Sequence, residues 1–174
     1  MSKKGLLIVH TGNGKGKTTA ALGLALRMLG HEKRVSIIQF IKGSWKYGEM
    51  KSVKRYEDLL DFHVMGRGFT FQSDDRALDV EAAKNAWAFA ETTILKGEHD
   101  LVILDELTYL VKFNMVDEET IISALLNRPR KLHVVVTGRY ATERLMEAAD
   151  LVTEMKEVKH PLKAGIKAQR GIEF

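Results

Sequence analysis

Short apolar runs alternating with longer amphipathic stretches predict an α/β fold, a mainly parallel sheet covered by helices on both faces. Three observations carry that reading. The runs at residues 6–10, 35–40, 101–104 and 132–136 are dominated by Val, Ile and Leu without strict alternation. The segments between them repeat Leu, Ala, Ile and Met at helical spacing. A glycine-rich turn joins the first run to the first helical segment. One-faced strands alternate apolar and polar residues, so continuous apolar runs of this length mark strands covered on both sides, as parallel strands are.

In chain order, the strand at 6–10 leads through the glycine-rich turn into a helix over 17–29. The strand at 35–40 follows, and residues 60–65 add a shorter one. A long helix over 75–95 precedes the strand at 101–104. Helices over 117–127 and 141–149 flank the strand at 132–136, and residues 151–155 supply a last short strand. Ligands of such sheets sit at the carboxyl ends of the strands, where the helix N-termini gather.

A chain of 174 residues with 45% hydrophobic and 29% charged residues is expected to form one domain spanning 1–174. The sequence contains no cysteine, which excludes disulfides, thiolate metal sites and a cysteine nucleophile and suits a cytoplasmic location. The apolar stretch after the N-terminal lysines is too short for a signal peptide or a membrane span, so no membrane partner is expected. The net charge of +4 serves polyphosphate binding and solubility as well as it would serve nucleic acid, and no nucleic-acid partner is expected.

The turn after the first strand reads Thr11-Gly12-Asn13-Gly14-Lys15-Gly16-Lys17-Thr18-Thr19 and opens directly into a helix. That is a phosphate-binding P-loop. Its glycines let backbone N–H groups converge on phosphate oxygens, and the helix N-terminus adds positive potential. Lys17 supplies a cation, and the Thr18 hydroxyl is placed to reach Mg²⁺. The usual pattern has glycine where Thr11 stands, so the first glycine falls one position late, at Gly12. The strand at 101–104 ends in Asp105-Glu106, which puts two carboxylates at the carboxyl end of a buried strand. A carboxylate there suits Mg²⁺ directly or through water, and Glu106 alternatively suits activation of a water molecule.

Further segments go beyond a generic nucleotide-binding loop: Gln39 to Gly43, Gly68-Phe69-Thr70-Phe71, Leu104 to Tyr109, Thr137-Gly138-Arg139, and the tail from Val158 through Gln169. In this order and spacing the chain resembles the cobalamin (corrinoid) adenosyltransferases, from Gly5 to Glu173. That resemblance implies a RecA-like P-loop fold. It also implies a reaction in which Co(I) of a corrinoid attacks the ribose 5′ carbon of ATP and triphosphate departs. On the family pattern Gly12, Asn13, Gly14, Lys15, Gly16, Lys17, Thr18 and Thr19 bind the nucleotide, with Arg139 as a further phosphate contact. Thr18 and Glu106, with Asp105, are expected to hold Mg²⁺. Phe69 and Phe71 occupy the positions whose aromatic rings displace the lower axial ligand of cobalt; many relatives have tryptophan where Phe71 stands. The resemblance further implies a homodimer and an external, flavodoxin-like or other, electron donor.

Asp61-Phe62-His63-Val64-Met65-Gly66 matches the Asp-x-His-x-x-Gly pattern by which other cobalamin enzymes ligate cobalt. A strong lower ligand opposes reduction to Co(I), so His63 is read here as a packed histidine. The basic tail around His160 is expected either to touch substrate or to be a solvated strip.

Overall fold

The computed structural model describes residues 4–41, 48–66 and 76–173. Its elements follow in chain order: β1 (Leu7–Thr11), α1 (Lys17–Leu29), β2 (Val35–Gln39), α2 (Gly48–Ser52), β3 (Leu60–Val64), α3 (Arg76–Lys96), β4 (Leu101–Asp105), α4 (Thr108–Lys112), α5 (Glu118–Leu126), β5 (His133–Thr137), α6 (Glu143–Ala148) and β6 (Leu151–Glu154). Two 3₁₀ turns, Val53–Tyr56 and Pro161–Ala164, complete the set. The six strands form one sheet in the order β3-β2-β4-β5-β1-β6, and each neighbouring pair is parallel.

Alternate residues of each strand feed two cores. On one face Ile37, Leu101, Ile103 and Val135 meet Ala21, Ala25 and Leu29 of α1. On the other, Leu7, Val9, Ile38, Leu104 and Val136 meet Trp87, Ala90 and Ile94 of α3 and Ile121 and Leu125 of α5. The 3.6-residue period brings Ala21 and Ala25 to one stripe, and their small side chains let α1 lie close to the strands whose ends form the site. Each fully buried Leu or Ile contributes about 1.5–3 kcal/mol, so the strand framework is the rigid part of the molecule.

Helix ends follow local chemistry that apolar spacing does not report. The Asp117 carboxylate accepts a hydrogen bond from the Thr120 N–H at 3.1 Å, and the Thr142 hydroxyl accepts one from Leu145 N–H at 3.2 Å. Both residues are N-caps rather than helical residues, so α5 and α6 begin one residue after them. α2 and α4, each five residues long, and the 3₁₀ turns are too short to show periodicity and were not expected.

At the N-terminal end of the sheet, Asp150 ties three segments together. It accepts from Leu7 N–H at 2.9 Å, from Arg128 Nη2 at 3.1 Å and from Lys4 Nζ at 2.6 Å. Arg128 also donates to the carbonyls of Leu125 and Gly5. The Leu7 N–H, then the Lys4 ammonium, hold the Asp150 carboxyl below its ordinary value. Among the described residues no helix is long and apolar enough to cross a membrane.

Candidate functional site

The opposite end of the sheet carries the site. Strand order places β5 between β1 and β4, so the loop after β1 and the carboxylates ending β4 converge around the end of β5. Thr18, at the start of α1, donates its hydroxyl to Asp105 Oδ1 at 2.7 Å. Thr137, the last residue of β5, donates to the same oxygen at 2.8 Å, and Gln39 Nε2, from the end of β2, donates to Oδ2 at 3.0 Å. Asp105 is 1% exposed. Neutral donors from three separate elements therefore satisfy both oxygens of a buried carboxylate and fix its orientation.

The Thr137 hydroxyl also accepts from the Glu106 N–H at 2.9 Å. Glu106 sits at φ 64°, a conformation that costs a non-glycine residue about 1–3 kcal/mol. The turn sends the two adjacent carboxylates of Asp105-Glu106 in different directions: Asp105 into the network and Glu106 to the cavity wall.

The loop wraps tightly. Lys17 is 6% exposed, and its Nζ donates to the carbonyls of Gly12 and Gly14, each at 2.7 Å. Burial lowers its pKa, opposed by the charges of Glu106 and Asp105. Gly14 N–H donates to the Met155 carbonyl at 2.7 Å, and Met155 N–H to the Thr11 carbonyl at 2.8 Å, so the chain leaving β6 braces the loop from behind. Gly12 has φ +92°, and a Cβ there would stand 2.5 Å from the Met155 carbonyl oxygen. That close approach explains why the shifted first glycine of the motif is needed at this position. Gly138, at φ +147°, has no room for a Cβ either, which would meet Thr108 Oγ1 at 1.9 Å.

A cavity of about 620 Å³ opens over the loop. Asn13, Gly14, Lys15, Gly16, Lys17, Thr18 and Thr19 line it with Glu106 and Arg139. Leu22, Leu26 and Tyr56 form its apolar side, and Gly171, Ile172 and Glu173 its outer rim. The structure thus brings Asn13 to Thr19 and Arg139 around one cavity, while Gly12 meets Lys17 through its carbonyl and does not line it. Lys15 departs from expectation in its present partner, the Glu173 carboxylate at 2.8 Å. Phe69 and Phe71 lie outside the described residues.

His63, His99 and His160 make packing, ion-pair and capping contacts. His63 packs edge-on against Phe89, with ring centroids 4.6 Å apart, and burial lowers its pKa. The Asp61 carboxylate of the same pattern pairs with His99 at 2.7 Å. His160 Nδ1 accepts from Leu162 N–H, capping the 3₁₀ turn at Pro161–Ala164. Sequence reasoning gave no role to Gln39, Thr137, Met155 or Glu173. Gln39 and Thr137 carried one signal, being polar residues at the ends of apolar strands; Met155 acts through its backbone, which side-chain identity does not report.

The fold and this end of the sheet define a P-loop nucleotide-binding protein of the RecA-like type, with one strand between the loop strand and the carboxylate strand. Comparison with known proteins narrows the class. Residues 3–174 match the family described as ATP:corrinoid adenosyltransferase BtuR/CobO/CobP. The chain is 45% identical to a corrinoid adenosyltransferase of Pseudomonas aeruginosa, an alignment covering 99% of this chain and 85% of that protein. It is 42% identical to the corrinoid adenosyltransferase of Escherichia coli K12 and, equally, to corrinoid adenosyltransferase CobA of Salmonella typhimurium; each alignment covers 99% of this chain and 87% of the relative. The chain belongs to the ATP:corrinoid adenosyltransferase family, and its activity is corrinoid adenosyl transfer.

Proposed function

We propose that this end of the sheet holds Mg-ATP so that the triphosphate, rather than the γ-phosphoryl group, is the part that leaves. The observation that carries Mg-ATP binding is the 2.7 Å contact between the Thr18 hydroxyl and Asp105 beside the loop that encloses Lys17, and family membership supports triphosphate as the part that leaves. Thr18, Asp105 and Glu106 present hard oxygen donors, a set that fits Mg²⁺ completed by phosphate oxygens and water. Bound there, Mg²⁺ would neutralise charge on the departing triphosphate.

The corrinoid is the second substrate. The electron pair of Co(I) forms the Co–C5′ bond, the C5′–O bond breaks, and its electron pair leaves on the triphosphate. No proton moves in this step, so the chain needs no general base. Its work is to bind, align and exclude water. The loop N–H groups and Lys17 supply fixed donors where charge collects, the arrangement that lowers such barriers most. Thr137 and Gln39 keep Asp105 oriented, and Arg139 meets phosphate from across the cavity.

Family membership supports the remaining parts of the proposal. Phe69 and Phe71 take the family's role of displacing the lower axial ligand, which favours four-coordinate, reducible Co(II). An external electron donor supplies Co(I), and two copies of the chain associate. The unbroken six-stranded sheet from β3 to β6 supports a single catalytic domain, and ATP as substrate supports a cytoplasmic site of action.

Glu106→Gln tests the metal assignment. Activity with preformed Co(I) corrinoid is expected to fall about tenfold to a hundredfold, with a raised Mg²⁺ requirement, because one carboxylate charge is lost. An unchanged Mg²⁺ dependence would remove Glu106 from the metal site. Phe69→Ala is expected to impair turnover from Co(II) at least about tenfold more than turnover from preformed Co(I), which equals about 1.4 kcal/mol of selective stabilisation. Equal losses would remove the proposed role.

A further inference from the structure

The C-terminal segment reaches the phosphate loop through Glu173, and nothing in the reaction explains that contact. Glu173 pairs with Lys15 at 2.8 Å through Oε1, while Oε2 accepts the Gln169 N–H at 2.6 Å. Gly171, Ile172 and Glu173 form a rim of the same cavity that the loop lines. We propose that this segment is a strap that competes with phosphate for the loop: the Glu173 carboxylate stands in for a phosphate group on Lys15, and the triphosphate of the nucleotide displaces it. The inference rests on the phosphate-loop reading given above.

The two lysines of the loop are in different states. Lys17 turns inward and is held by two loop carbonyls. Lys15 points outward, with its side chain 43% exposed, and its charge is taken by a carboxylate. A carboxylate carries the same kind of oxygen acceptor as a phosphate but less charge, so a triphosphate outcompetes it for a lysine. The Gln169 N–H, then Lys15, hold the Glu173 carboxyl below its ordinary value, so the strap carries its negative charge at neutral pH.

The strap is also cheap to move. Ile172 is 73% exposed and Ile166 48% exposed, so little apolar surface is lost when the segment lifts. Gly165 and Gly171 are both at positive φ, and a Cβ at either would meet nothing within 4 Å. Two glycines with open space around them therefore precede Glu173, the residue that would swing. On arrival of nucleotide, Lys15 exchanges Glu173 for phosphate oxygens, and the displaced carboxylate is repelled from the filled site. After transfer, Glu173 competes for Lys15 again and helps the triphosphate product to leave. The strap lowers ground-state affinity for triphosphate in return for faster release.

The test measures binding of inorganic triphosphate with Mg²⁺ to the wild type, Glu173→Gln and Lys17→Ala by calorimetry. In parallel, tryptic cleavage after Lys167 and Arg170 is followed by mass spectrometry. Glu173→Gln is expected to bind triphosphate about three- to tenfold more tightly, the scale of one partly exposed ion pair and one like charge removed. Saturating triphosphate is expected to speed cleavage of the wild-type tail, and the Glu173→Gln tail should be cleaved quickly without it. Unchanged or weaker binding by Glu173→Gln, or protection of the tail by triphosphate, would overturn the strap. Should Lys17→Ala lose binding while Glu173→Gln matches the wild type, the strap falls and the phosphate loop stands. Were both variants to bind like the wild type, the phosphate-loop assignment itself would fall.

Discussion

Asp105 and Asp150 lie at opposite ends of the same sheet, each surrounded by donors, yet their surroundings differ in kind. Asp105 accepts hydrogen bonds from the hydroxyls of Thr18 and Thr137 and the amide of Gln39, which are neutral donors, and the Lys17 ammonium acts on it through space. Asp150 is met by a backbone N–H and by the cations Arg128 and Lys4. Hydroxyl and amide donors reorient when a cation arrives, leaving the carboxylate's charge available to it. Guanidinium and ammonium partners neutralise that charge in place. The first arrangement is a site prepared for a charged ligand; the second is a staple that fixes the start of β1 to the start of β6. In this chain the two carboxylates differ in the charge of their hydrogen-bond donors rather than in how many they have.

Breaking each end separately sharpens the contrast. The largest effect is expected from Lys17→Ala, which removes a cation from where leaving-group charge collects. Adenosyl transfer with preformed Co(I) corrinoid should fall at least about a hundredfold while the far-ultraviolet circular dichroism spectrum stays that of the wild type. Near-normal turnover would show that the loop does not hold the triphosphate. Asp105→Asn should damage both properties at once. Activity is expected to drop about a hundredfold, and chemical denaturation should show a loss of about 1–3 kcal/mol, because the hydroxyl donors then face an amide group. A stability loss with full activity would make Asp105 a second staple.

The smallest catalytic effect is expected at the far end. Asp150→Ala should lower stability by about 1–2 kcal/mol and leave kcat/KM within about twofold of the wild type. The deficit has a defined pH dependence. Since the folded carboxyl is held below its ordinary value near 3.8, the Asp150 contribution is complete above that value and vanishes as the pH falls through the lower folded one. The stability gap between wild type and Asp150→Ala should therefore be constant near neutrality and close only in strong acid. A gap that closes near pH 6 would assign the effect to another group.

The same contrast shows what could be read from the sequence. β1, β2, β4 and β5 were legible because burial on both faces makes parallel strands continuously apolar. The loop was legible because glycines, lysines and hydroxyls crowd into nine consecutive residues between a strand and a helix. The Asp105 network was only half legible. Thr18 and Asp105 are 87 positions apart, and they meet only because β5 separates their strands. Gln39 and Thr137 end apolar runs, and nothing local says that they face the same carboxylate. The Asp150 staple gave no signal, since Lys4, Arg128 and Asp150 are ordinary charged residues until the strand order brings them together. Glu173 was hidden in the same way, because the basic character of its surroundings drew attention to the tail's cations.

The most direct test of the account supplies the wild-type protein with Mg-ATP and chemically reduced cob(I)alamin under strict exclusion of oxygen. It follows Co–C bond formation by absorbance and identifies the phosphate product by ³¹P nuclear magnetic resonance. The account predicts adenosylcobalamin and intact triphosphate in equal amounts. ADP and inorganic phosphate with unchanged corrinoid would contradict it, and would make this end of the sheet a site for γ-phosphoryl chemistry instead.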